Sequence, residues 1–365
     1  MNTALSVNGR FFNHRGSSPG KAARLAACLL AACAGLAWAG NAQAVNYTFT
    51  PLGTLGGFVS EAYASNSTGK ITGYSSLANG TQRAVSWTGA VPTVLGTLGM
   101  STSLAAAINN AGQIVGWVGD ANHIQYRPVV WNGTTPTDLG TLGGSSGLAN
   151  GINSVGHIVG SSDTTNNVAR HATLWSGSTI TDLGTLGGSA SFASSINSAG
   201  SIVGVSTLPG NAVQHAVLWT GSMTIDLGSL GGNSLALGIN DSGQAVGYSF
   251  TTVNGSIAHA VLWNGSTTVD LGTLGGNSSY ANAINNAGVI VGFSEVAPGN
   301  AVHAVLWNGA GPVDLNSFLS PSAVSAGWVL TQAMGISDSG QIMGQTFNSH
   351  TGRQDAFVLT PIPGS

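Results

Sequence analysis

The sequence predicts an all-β protein, a seven-bladed β-propeller closed by pairing of its N- and C-terminal strands, with an open β-solenoid or β-prism-like array as the alternative. Three observations lead there. The phrase Leu-Gly-Thr-Leu-Gly-Gly opens at Leu52, Leu95, Leu139, Leu183, Leu227 and Leu271, with a degraded copy at Leu315, and after a first interval of 43 residues every step is 44. A fixed period of this length marks stacked or circular supersecondary units. Within each period the apolar runs are short and separated by Gly and Asn, without helical periodicity, as in an all-β unit. Finally, each end of the repeat region carries half of one hairpin.

The repeat from Leu227 shows the elements in order. The phrase leads into Leu235-Ala-Leu-Gly-Ile239, then the turn Asn240-Asp-Ser-Gly243, then Gln244-Ala-Val-Gly247. A variable loop follows, then His259-Ala-Val-Leu-Trp263, then Asn264-Gly265. That is a unit of about four strands. The Ile-Asn-x-x-Gly turn recurs at Ile108, Ile152, Ile196, Ile239 and Ile284. Asn suits the first position of a type I turn, and the closing Gly supplies the left-handed residue of a bulged hairpin. The second turn follows each tryptophan, as Asn132-Gly133 and Asn264-Gly265 illustrate. A two-residue loop with Gly second is a strong hairpin signal.

That second turn sets an expected register. With Asn264 and Gly265 central, Trp263 faces Ser266 and His259 faces Asp270. The same count opposes His171 to Asp182, His215 to Asp226, His303 to Asp314 and Arg127 to Asp138. Directly opposed residues lie close enough for a charge-assisted hydrogen bond. The tight hairpin belongs within a blade, and the variable loop is expected to cross from one blade to the next.

Asn46-Tyr-Thr-Phe-Thr-Pro-Leu52 reads as the second strand of this hairpin without its first, and Asp355-Ala-Phe-Val-Leu359 as the first without its second. Pairing them makes a seventh hairpin and removes both exposed edges. An open solenoid would instead call for atypical polar caps.

Residues 1–44 read as a secretory signal peptide, followed by a single repeat domain over 45–365. Arg10, Arg15, Lys21 and Arg24 precede an apolar run from Leu25 to Ala39, and Ala42-Gln43-Ala44 offers a small-residue cleavage site. Both cysteines, Cys28 and Cys33, lie in this leader, so the processed chain has no disulfide. Leu30-Ala31-Ala32-Cys33 also has a lipoprotein pattern that would anchor the chain through Cys33, although apolar residues continue through Trp38. Removing the leader leaves five basic residues against twelve acids, a formal net charge of −7. No basic patch remains for nucleic acid or anionic membrane, and no later apolar run spans a bilayer. The expected location is extracellular or at the cell surface, with the periplasm possible, and the expected state is a monomer.

Asp-Leu-Gly-Thr-Leu-Gly-Gly, Ile-Asn-x-x-Gly-x-Ile-Val-Gly and His-Ala-x-Leu-Trp at fixed spacing closely resemble the bacterial HAF-type extracellular repeat. The resemblance covers Asn46 to Leu359, and the last unit, with Gly327-Trp-Val-Leu and Gly335-Ile-Ser-Asp-Ser-Gly340, looks like the longer terminal variant of that family. It implies secretion or surface display and often a C-terminal anchor, which Pro361-Ile-Pro-Gly-Ser365 does not resemble. It carries over no catalytic residue.

Repetition makes the His–Asp and Arg–Asp pairs framework, because a catalytic site is built once from non-equivalent residues. The same reasoning assigns Trp87, Trp131, Trp175, Trp219, Trp263 and Trp307 to blade packing rather than carbohydrate stacking. No metal or cofactor is expected; calcium on Asp and Asn oxygens suits an acidic secreted protein, but no spaced acidic loop argues for it. The residues that break the period are Trp117, Asp120, His123, Tyr126, Asp163, Arg170, Glu295, His350 and Arg353. They fall in the variable loops, expected to open on one face, and are the binding candidates. The leading function is non-enzymatic binding of a glycan, matrix polymer or protein partner. An extracellular polysaccharide lyase or hydrolase using His123, Tyr126 and Arg170 is the runner-up, and a structural envelope or biofilm component the third reading.

Overall fold

Each repeat folds into an antiparallel sheet whose four strands lie side by side in chain order. In one repeat these are Ser234–Ile239, Ala245–Phe250, Ala258–Asn264 and Thr267–Asp270. The sheets over 102–138, 143–182, 191–228 and 275–314 follow the same plan. The remaining strands form one composite sheet. Trp328–Ile336, Ile342–Asn348 and Arg353–Pro361 pair in order, and Tyr47–Pro51 adds antiparallel to the last, from Tyr47↔Pro361 to Pro51↔Phe357. A single parallel bridge, Gln354↔Val59, connects these to the four strands of 56–94. The chain is an all-β protein of β-propeller architecture.

The computed structural model describes residues 6–7, 10–11, 46–122, 124–297 and 301–363. The expected leader over 1–44, with Cys28 and Cys33, lies outside the described residues apart from a pairing of Ser6–Val7 with Arg10–Phe11. Among the described residues no helix is long and apolar enough to cross a membrane.

Turn chemistry accounts for both hairpins. In the first, Gly243 N–H donates to Asn240 O at 3.0 Å and Asn240 N–H to Gln244 O at 3.0 Å, with Gly243 at φ +79°. Only glycine adopts that backbone without cost. The second hairpin differs from the expected register. Asn264 opposes Thr267, so Gly265 and Ser266 are the central residues. Gly265 sits first of the two at φ +60°, the arrangement of a type II′ turn. Moving the turn by one residue moves each partner by two places, and Asp270 opposes Val261 rather than His259. Asp138, Asp182, Asp226 and Asp314 likewise oppose Val129, Thr173, Val217 and Val305.

The path between sheets also corrects the expectation. The variable loop joins the second and third strands of one sheet, with Phe250 paired to Ala258. The crossing is made by the Leu-Gly-Thr-Leu-Gly-Gly phrase, which links Met223–Gly228 to Ser234–Ile239. Its two leucines explain why the phrase recurs. Leu227 and Leu230 pack against Val203 and Ala216 of one sheet and Ala236, Val261 and Trp263 of the next. Full burial of such a side chain contributes ~1.5–3 kcal/mol and these two are half-buried, so a crossover that is also core needs little length.

Every successive pair of sheets shares a core of this kind. Ala84 packs with Ile114, Val129 and Trp131, and Val291 and Ala304 pack with Leu330 and Phe357. The last sheet packs on the first, where Met343, Ala356 and Val358 meet Ala62, Ile71, Val85 and Trp87. Ala356 N–H also donates to Ser60 Oγ at 2.8 Å, across 296 residues of chain. The same serine link joins neighbours elsewhere, as Ala216 N–H to Ser234 Oγ at 2.9 Å. The glycine of Ile-Val-Gly has a packing reason: a Cβ on Gly247 would lie 1.9 Å from Leu235 O, beside the bulge at Ala236/Gly238. The longer last repeat adds a 3-10 turn, Leu315–Phe318, and a short helix, Pro321–Ser325.

Candidate functional site

The repeated pairs meet despite the shifted register. His259 Nδ1 lies 2.6 Å from Asp270 Oδ2, His171 2.7 Å from Asp182, His215 2.9 Å from Asp226, and His303 2.6 Å from Asp314. Arg127 donates to Asp138 Oδ2 at 2.7 Å. These contacts are diagonal across the hairpin, a span that an imidazole or guanidinium bridges. The second carboxylate oxygen accepts a backbone N–H two residues on, Gly272 for Asp270 at 2.9 Å and Gly184 for Asp182 at 2.8 Å. Each Asp thus ties the third strand to the start of the crossover. The Asp270 side chain is 41% exposed, however, so the pair is a surface clamp rather than a buried one. The tryptophans are core: Trp87 and Trp131 are fully buried and donate through Nε1 to Gly53 O and Gly96 O of the crossover, both at 2.7 Å.

Of the binding candidates, His123 lies outside the described residues. Five others come together on the loop face of two neighbouring sheets. Trp117 is not a loop residue: it sits within Ile114–Gly119, buried, with its ring 4.9 Å from that of Tyr126 in an edge contact. Tyr126 opens the third strand of that sheet, and its backbone N–H donates to Ser146 Oγ of the next sheet at 3.1 Å. Burial, then the Asp120 carboxylate, push its phenol pKa up, while Arg170 opposes the rise. Asp120 caps its own loop, accepting from Ile124 N–H at 2.9 Å. Arg170 opposes Asp163 in register and its Nε donates to Asp163 Oδ1 at 2.7 Å. The set combines an aromatic platform, a carboxylate and an ion pair.

The other three candidates lie elsewhere. Glu295 is a strand residue that accepts from Asn277 N–H at 3.1 Å and raises the pKa of Tyr280, after the larger effect of burial. His350 sits in the turn after Asn348 and donates its N–H to Asn348 Oδ1 at 3.1 Å. Arg353 is also in a strand, bonded to Asp355 at 3.2 Å and Thr54 at 3.0 Å.

The axis holds what the sequence reading missed. The first strands of all the sheets contribute to a cavity of about 160 Å3, lined among others by Tyr63, Asn150, Ser194, Leu237, Asn282 and Met334. Tyr63 OH donates to Glu61 Oε2 at 3.0 Å, and Tyr74 also bonds to Glu61. Glu61 is only 8% exposed, and burial pushes its carboxyl up to about 7 against the opposing help of the two phenols. Its counterparts in register are Leu104, Leu148, Phe192, Leu235, Tyr280 and Gln332. A glutamate in that otherwise uncharged column was the signal available in the sequence.

On the opposite face the Asn-x-x-Gly turns bind one another. Asn109 Nδ2 donates to Asn153 O at 3.2 Å, Asn197 to Asn240 O at 3.1 Å, and Asn240 to Asn285 O at 3.2 Å. These turns ring a second cavity of about 420 Å3. Among the described residues no three of His, Cys, Asp and Glu form a metal-ligating group.

No protein-family model matches the chain, and no curated protein is similar to it in sequence. Solved structures resemble it in backbone arrangement only. The chain is similar to TolB from Acinetobacter baumannii, at 13% identity and a TM-score of 0.44, over 69% of this chain and 64% of that one. It is similar to the β-propeller domain of the Trilobed protease from Pyrococcus furiosus, described as having an open velcro topology, at 10% identity and a TM-score of 0.49, over 83% and 94%. It is also similar to the acylaminoacyl peptidase of Pyrococcus horikoshii, at 9% identity and a TM-score of 0.46, over 82% and 52%. The chain therefore spans less than two thirds of the TolB chain and about half of the peptidase.

Proposed function

We propose that the chain is an exported HAF-type propeller of seven blades, closed where Tyr47–Pro51 pairs with Arg353–Pro361, and that it binds a glycan without enzymatic turnover. Closure is supported by that strand pairing, by the core between the last and first sheets, and by the Ala356–Ser60 hydrogen bond. The observation that carries the binding reading is the gathering of Trp117, Asp120, Tyr126, Asp163 and Arg170 on the loop face. These residues break the repeat, and a phenol ring beside a carboxylate and a guanidinium suits sugar faces and hydroxyls. The glycan is recognised free or as part of a matrix polymer.

The test is a glycan array followed by calorimetry on the best binder. Tyr126→Ala and Arg170→Ala are expected to weaken binding at least tenfold, while His259→Ala leaves it unchanged. Retention of no glycan, or full affinity in both rim variants, overturns the reading. One observation favours an enzyme instead. Glu61, with a carboxyl that titrates near neutrality, has the tuning of a general acid. That reading requires polysaccharide turnover that Glu61→Gln abolishes.

A further inference from the structure

Acceptors stack along the axis from the turn face inward. At the mouth, Asn286 Nδ2 donates to Asp241 Oδ2 and to Asp338 Oδ2, both at 3.0 Å. The Ser198 hydroxyl and amide, bonded to Asp241, hold its carboxyl below the ordinary value, so it is charged at neutral pH. One level in, Ile152, Ile196, Ile239 and Ile284 line both cavities and form a collar between them. The first repeat has Ser65 at this level, and its Oγ is buried without a hydrogen-bond partner. Beyond the collar, Asn282 is 3% exposed and lines the inner cavity. Its Nδ2 is committed to Ala333 O at 2.9 Å, which fixes the amide orientation. Its Oδ1 accepts from nothing.

A buried acceptor left unmatched is costly, and native proteins leave few of them. Here two unmatched oxygens lie at successive levels of one axis, behind an anionic mouth. Among the described residues that line the two cavities there is no Lys, Arg or His. The walls between the polar levels are aliphatic. We propose that this axial funnel binds an aliphatic ammonium whose stem ends in a hydrogen-bond donor, an amino alcohol or a diamine. The ammonium docks on the Asp241 and Asp338 carboxylates beside the Asn286 amide that bridges them, the methylenes pass the isoleucine collar beside Ser65, and the terminal donor reaches Asn282 Oδ1. The charge at the mouth sets the sign of the ligand, the collar its width and Asn282 its far end.

The inference rests on the closed ring proposed above and is independent of the glycan face. The test is calorimetry on the full chain with aminopentanol and cadaverine, set against pentylamine and pentanediol as controls. Aminopentanol and cadaverine are expected to bind at least tenfold tighter than pentylamine, which lacks the distal donor, and than pentanediol, which lacks the cation. Asp241→Asn and Asp338→Asn, at the exposed mouth, are expected to weaken the two ligands at least fivefold while leaving the binding of pentanediol unchanged. Asn282→Leu removes the advantage of aminopentanol over pentylamine, and Tyr126→Ala changes nothing. Equal binding of aminopentanol and pentanediol, binding of neither ligand, or indifference to both mouth substitutions overturns the proposal. Amine binding lost while glycan binding persists refutes the funnel alone.

Discussion

Replacing Glu61 by Gln should change the pH dependence of stability more than stability itself. Burial raises this carboxyl from an ordinary 4.5 to about 7. The folded state therefore holds its proton more tightly than the unfolded chain does. Between those two values folding takes up a proton, so stability falls as pH rises, and the loss is complete just above the folded value. The separation of the two values corresponds to about 3 kcal/mol at 1.36 kcal/mol per unit. Glutamine has the same shape, still accepts from the phenols of Tyr63 and Tyr74, and carries no charge. Urea unfolding of both proteins from pH 4 to pH 8 reads the effect. The variant should gain on the wild type by about 3 kcal/mol across that range and then hold its advantage. A difference in unfolding free energy that is flat with pH refutes the buried placement of Glu61.

Other substitutions test the framework. His259→Ala should cost no more than ~1 kcal/mol in urea unfolding, because Asp270 is exposed and keeps the Gly272 amide. Gly247→Ala should cost ~3 kcal/mol or more, or prevent folding, because its Cβ meets Leu235 O at 1.9 Å; a loss under ~1 kcal/mol contradicts the bulge geometry. Ser60→Ala orphans the buried Ala356 N–H and should lower stability by ~1–3 kcal/mol, with Ser234→Ala matching it because Ala216 N–H depends on Ser234 in the same way. A cost at Ser234 but none at Ser60 would mean that the first and last sheets are not joined as the others are.

The repeat made most of the architecture legible, since glycine turns and apolar runs are local signals. Asn240-Asp-Ser-Gly243 could only be a turn closed by a left-handed residue. Asn264-Gly265-Ser266 was ambiguous, because glycine serves equally as second residue of a type I′ turn or first of a type II′ turn. The two differ by one residue, which exchanged the direct partner of Asp270 while the reach of the imidazole preserved the contact. The crossing was misplaced because a long variable loop looks able to travel. The structure uses the short phrase, whose Leu227 and Leu230 bury as they cross. Trp117 read as a loop residue because the end of the preceding strand has no sharp signal. Glu61 was overlooked for a different reason. Its column is uncharged in the sequence, but that the column is buried, and so costly for a charge, is visible only once Tyr63 and Tyr74 are in place.

The closed ring is the claim on which the axial site stands, and the terminal strands test it most directly. Thr48 and Thr360 are directly opposed in the pairing that joins the two ends. Cysteines at both positions in the processed chain, which keeps no other thiol by the expected cleavage, should oxidise to an intramolecular disulfide and raise the melting temperature. Free thiols after mild oxidation, or disulfides formed only between molecules, would place the two strands apart and contradict closure.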